Sequence, residues 1–190
     1  MTASTSAPRP DPGSLRAAWS AAQTGTRPAR PYDLAADLGV SELELVSART
    51  GLDVVRLTPA WDEVLPALAG LGQVMGLTRN AHAVIEKDGR WSPFSRHGST
   101  GLVLDEGLDL RLFLGPWTHL LAVTSATRHG PRRSLQVFDA HGVALHKVFV
   151  REGADAASAA GYDALVERFR APDQVPRIGQ QRANFASRLR

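Results

Sequence analysis

The chain has no cysteine among its 190 residues. That excludes disulfides, iron–sulfur clusters, thiolate zinc sites and cysteine nucleophiles together. Long apolar runs are also missing: nowhere do about 18 apolar residues follow one another, the length a bilayer-crossing helix needs. The opening "MTASTSAPRPDPGS" contains no apolar stretch of the kind that marks a signal peptide. The expectation is therefore a soluble, cytoplasmic protein with no membrane partner. A formal charge of +3, with no dense Lys/Arg stripe interleaved with aromatics, argues against nucleic acid as a partner. The pI of 9.9 comes from arginine, much of it near the end of the chain at Arg168, Arg170, Arg177, Arg182, Arg188 and Arg190.

Common catalytic signatures are lacking too. There is no G-x-x-x-x-G-K-[ST] phosphate loop, no G-x-G-x-x-G between a strand and a helix, and no G-x-S-x-G elbow. None of the six histidines forms HxH or a helical HxxxH, so a zinc motif is not supported. Serines and carboxylates are scattered, and no Ser/His/Asp set or acid–base pair stands out.

What is present is the composition of a globular domain: 43% hydrophobic and 22% charged residues. The length suits one domain with a real core. Residues 1–13, rich in Ser, Thr, Ala and Pro, read as a disordered tail, 14–171 as the domain, and 172–190 as an Arg-rich flexible tail. "SLRAAWSAAQ" from Ser14 predicts a helix with a serine cap. "YDLAADLGVSELELVSA" predicts two short helices, the first stopped by Gly39 and the second opened by a Ser41–Glu44 capping box. A strand from Asp53 and a short helix from Asp62 to Ala69 follow. The period then changes to two. Six to eight strands joined by short turns come next, with hairpin turns expected at "KDG" (Lys87) and at Ala140–Gly142. "ADAASAAGYDALVERFRA" predicts a closing helix. Short links imply antiparallel pairing, so the fold class is α+β: N-terminal helices, a large antiparallel sheet and a C-terminal helix.

One strand carries an anomaly. "LDLRLFLG" places Leu108, Leu110, Leu112 and Leu114 on one face and Asp109, Arg111 and Phe113 on the other. Arg111 and Phe113 stand about 7 Å apart along the strand. The polar face can be simply the wet side of an antiparallel sheet. It can equally be a fixed cation beside an apolar plane, suited to a large flat apolar ligand bearing carboxylates, or an anchor for a partner protein. The histidines divide by setting: His97, His129 and His141 in turns, His82 and His119 in strand-like runs, and His146 in "ALHKVFV".

Several runs, in order over roughly residues 15–170, resemble the HemS/ChuX haem-utilisation family: "ARPYDLAADLGVSELELVSAR", "WDEVLPALAGLGQVMGLTRNAHAV", "LDLRLFLGPWTHLLAV" and "GPRRSLQVFDAHGVALHKVFV". The resemblance implies a haem-binding protein for haem uptake, trafficking and iron acquisition. It also implies that Arg111 contacts the haem and that Phe113 packs beside it. The family's tandem members have two similar halves, and this chain resembles the first. Their histidine ligand comes from the second half, and the corresponding region here has Ala29 and Arg30. Ile85 and Ser99 stand where the family has further histidines. His146 and His82 are the substitute candidates for the haem iron. Single-repeat relatives form homodimers that imitate the tandem arrangement, so a homodimer or a second family-related chain is the expected partner. Two alternatives stay open: a haem-degrading enzyme, in which the cofactor carries most of the chemistry, and a non-haem protein-interaction module.

Overall fold

The structure, a computed structural model, describes residues 10–24, 28–151 and 156–179. Three helices come first: α1 (Pro12–Gln23), α2 (Pro31–Asp37) and α3 (Glu42–Ser47). Next are β1 (Val54–Leu57), α4 (Trp61–Ala67) with a 3₁₀ turn at Leu68–Leu71, and β2 (Gln73–Arg79) to β9. The remaining strands are β3 (Val84–Arg90), β4 (Phe94–His97), β5 (Thr100–Leu104), β6 (Asp109–Phe113), β7 (His119–Thr127), β8 (Gly130–Phe138) and β9 (Ala144–Val150). Helix α5 (Ala156–Phe169) follows. The strands form two antiparallel sheets: six strands in the order β1-β7-β8-β9-β2-β3, and three in the order β4-β5-β6. The predicted α+β class holds, with the sheet divided in two.

The main core lies between the sheets. Val74, Leu135, Val137, Val148 and Val150 of the large sheet meet Val103, Leu108 and Leu112 of the small one, with Trp91 and Trp117 between. Helices α4 and α5 pack on the same side through Val64, Leu65, Leu165 and Phe169. On the opposite face α3 covers the β1–β7–β8 part of the large sheet through Leu43 and Val46. No described helix is long and apolar enough to cross a membrane.

The helix signals read from the sequence are largely present. Ser41 Oγ accepts from the Glu44 backbone N–H while the Glu44 carboxylate accepts from the Ser41 N–H, the reciprocal pattern of a capping box. Ser41→Ala is expected to lower stability by about 1 kcal/mol, read as a shift of the urea midpoint with unchanged slope. Two expectations are corrected. The first helix is capped by Asp11, whose carboxylate accepts from Gly13 and Ser14 N–H, because Pro12 at the first turn has no N–H to satisfy. The hairpin turn falls at Asn80–Ala83, where the Asn80 side chain accepts from His82 and Ala83 N–H. "KDG" runs on inside β3, and Gly89 serves close approach: a Cβ there would lie 2.7 Å from Leu108 Cβ. After α5, residues up to 179 hold on to the domain by hydrogen bonds. The backbone N–H and C=O of Arg56 are bonded by the Gln174 side chain, and Gly179 N–H donates to Glu44. Of the expected tails at 1–13 and 172–190, residues 1–9 and 180–190 lie outside the described residues.

Candidate functional site

The alternation of "LDLRLFLG" is reproduced in the small sheet. Leu108, Leu112 and Leu114 are buried, whereas Phe113 is 65% exposed. Arg111 is exposed and makes no ion pair or hydrogen bond among the described residues. The register pairs Leu102 with Arg111 and Thr100 with Phe113, so these share the outward face with Leu104, itself 54% exposed. Beta-4 adds one residue that sequence reasoning had placed in a turn. His97 pairs with Thr100, which puts it in the same cross-strand row as Phe113, about 10 Å away by two strand spacings. The run "SPFSRH" hid this short strand because Pro93 and the polar residues give it no apolar alternation. The outward face therefore gathers a cation, an imidazole and three apolar side chains.

The two candidate iron ligands are placed differently. His82 is exposed in the β2–β3 turn. His146 is 4% exposed and lies between the sheets, stacked on Trp117 with ring centroids 6.4 Å apart and near Trp91 at 5.8 Å. Its Nδ1 is 2.8 Å from Thr78 Oγ1, and its Nε2 is buried without a partner. With nothing to stabilise an added proton, burial pushes its pKa down to about 4. Neither histidine stands in the same row as Arg111.

A second concavity lies on the other face of the large sheet, beside the start of α3. Strands β2 and β9 turn Met75, Leu77, Arg79, Lys147 and Phe149 outward, and Arg30, Tyr32 and Glu42 close the side. This cleft of about 940 Å³ was not legible from the sequence, because six separate segments assemble it. Period-two alternation in "QVMGLTR" and "HKVFV" would have shown its floor but not its walls. Among the described residues no group of three or more His, Asp or Glu forms a metal site.

Helices flanking a pair of antiparallel sheets define the α+β class. Residues 39–169 match the family described as "Haemin-degrading HemS.ChuX domain", and the chain belongs to that family. It is 43% identical over 142 residues to the hemin transport protein HmuS of Yersinia pestis, covering 74% of this chain and 40% of HmuS. Among solved structures it is similar to holo-PhuS, a heme-binding protein from Pseudomonas aeruginosa (TM-score 0.83, 43% identity, 91% of this chain and 49% of that one). It is also similar to the heme-degrading enzyme ChuS of Escherichia coli O157:H7 (TM-score 0.77, 31% identity, 85% and 48%). The chain thus spans about half the length of these relatives or less.

Proposed function

We propose that the chain binds haem on the outward face of the small sheet, as a cytoplasmic carrier in haem uptake and iron acquisition. The observation that carries this reading is the exposure of Phe113 and Arg111 side by side on a rigid strand. With Leu104, exposed on the same face, the phenyl makes an apolar patch, and such patches take ligands or partners. The neighbouring guanidinium can fork onto a carboxylate or stack on a conjugated ring. Haem offers both partners: a flat apolar body and two propionates. Because one face of one sheet contacts one side of such a ring, the other side needs a cover, and a second copy of this chain or a family-related chain would supply it.

Of the two candidate iron ligands, His82 is accessible as the chain stands. His146 would require the layer between the sheets to open. His97 joins them on geometry, since it shares the Phe113 row. Hemin titration of single His→Ala variants at these positions, followed at the Soret band, assigns the ligand.

Arg111→Ala is expected to weaken hemin binding by tenfold or more, the scale of one charge-assisted hydrogen bond. The melting temperature should stay within a few degrees, because an exposed side chain without partners contributes little to the fold. Unchanged affinity removes Arg111 from the site. Degradation of haem is a second reading, favoured by the likeness to ChuS. Loss of the Soret band with appearance of a bilin on addition of reductant and oxygen distinguishes it from carriage.

A further inference from the structure

The cleft on the large sheet takes no part in that reading, yet it has the features of a built site. Its volume of about 940 Å³ falls in the range of small-molecule pockets. Two of its cations are committed: Lys147 to Glu42 and Arg151 to Asp88. Arg30, Arg79 and Arg132 line it with no ion pair among the described residues. Arg79 is held in place by stacking 4.0 Å over the Tyr32 ring, and its Nε is buried without a partner. Arg30 and Tyr32, at the start of α2, both line the cleft. Arg132, over the Phe149 ring at 5.5 Å, belongs to the strand on the far side of β9.

The floor adds an acceptor. Glu42 has a side chain only 5% exposed, and its Oε1 is used by Lys147 while its Oε2 is buried with no partner. A buried carboxylate oxygen left bare costs free energy until something donates to it. A ligand that meets every unpaired group of this cleft therefore offers carboxylates for one end, an apolar conjugated body for Met75, Leu77 and Phe149, an N–H for Glu42 and a carbonyl or carboxylate oxygen for Arg132. Haem lacks the N–H, because iron occupies its pyrrole nitrogens, whereas an open-chain tetrapyrrole has it. The lining also contains no histidine among the described residues.

We propose that this cleft binds an open-chain tetrapyrrole dicarboxylate, a bilin. Its carboxylates sit on Arg30 and Arg79, a pyrrole or lactam N–H on Glu42 Oε2, and a terminal lactam carbonyl at Arg132. The choice of tetrapyrrole rests on the haem reading above; the charge, acceptor and shape requirements stand on the cleft itself.

The test titrates biliverdin and hemin in parallel into the purified chain and into its Arg79→Ala, Arg132→Ala and Arg111→Ala variants, reading visible absorption and melting curves. Saturable biliverdin binding at one per chain is expected. Arg79→Ala and Arg132→Ala should each weaken it at least tenfold, and Arg111→Ala should leave it unchanged. Hemin should show the reverse pattern. Absence of saturable biliverdin binding overturns the proposal. So does biliverdin affinity indifferent to both cleft variants, or competitive displacement of biliverdin by hemin. Should Arg79→Ala fail to fold, the exposed Arg132 carries the comparison. If biliverdin saturates and hemin does not, the haem reading fails and the cleft assignment stands.

Discussion

Lowering the pH from 6.5 to 4 should cost the fold roughly 3 kcal/mol through His146 alone. The imidazole is neutral in the folded chain because burial depresses its pKa to about 4, whereas in the unfolded chain it titrates near 6.5. Above pH 6.5 both states are neutral there and the contribution is fully present. As the pH falls through this window the unfolded state takes up the proton first, so stability declines; below 4 both states are charged and this loss stops. The structural cause is specific. A proton on the ring would charge a group stacked on Trp117 and packed against Gly76, whose added Cβ would lie 3.4 Å from His146 Cε1, with no acceptor beside Nε2. For a chain of this size the loss corresponds to a melting temperature lower by about 6–12 °C. His119 is depressed in the same direction by burial and by Arg177 and Arg56, so the wild type must be compared with His146→Gln. The variant should show a visibly flatter decline between pH 6.5 and 4. Equal slopes in the two proteins would mean that His146 is protonated at no cost.

Glu42→Ala is expected to destabilise the protein by about 3–5 kcal/mol, the cost of leaving a buried charge without its partner. Lys147 and Glu42 side chains are 8% and 5% exposed, and each is the other's ion-pair partner across the α3–β9 contact. Removing the carboxylate strands an ammonium beneath the cleft, while the double variant Glu42→Ala, Lys147→Met removes the charge as well. Urea unfolding at pH 7 should therefore show the double variant recovering a large part of what the single variant loses. A single variant within 1 kcal/mol of wild type would mean that Lys147 swings out to water.

The parts of this fold legible in the sequence were those governed by neighbours along the chain. The capping box at Ser41 and Glu44, the stop at Gly39 and the leucine alternation of β6 each depend on residues within a few positions of one another. Arg111 and Phe113 were legible for the same reason. "KDG" was misread because a Gly after Asp signals a turn locally, whereas here the glycine lets β3 pass close to Leu108. His146 reads as a ligand by residue type. Its period-two partners Val148 and Val150, both buried, show that it lies in the core. The cleft and the His97–Phe113 row were not legible at all. They exist through pairings between strands, and register is fixed by which faces bury together across the whole sheet rather than by any one segment.

The way β1 is finished limits how two such molecules can meet. Along the outer edge of β1 the main chain is bonded within the molecule: Val54 O accepts from Gly51, Arg56 is met by Gln174 and Ala171, and Thr58 N–H donates to Phe169. A hem of this kind leaves no open hydrogen-bond row for another chain's strand on that flank. Continuous-sheet assembly is thereby confined to the β3 flank or the margins of the small sheet, close to where the proposed haem face needs its cover.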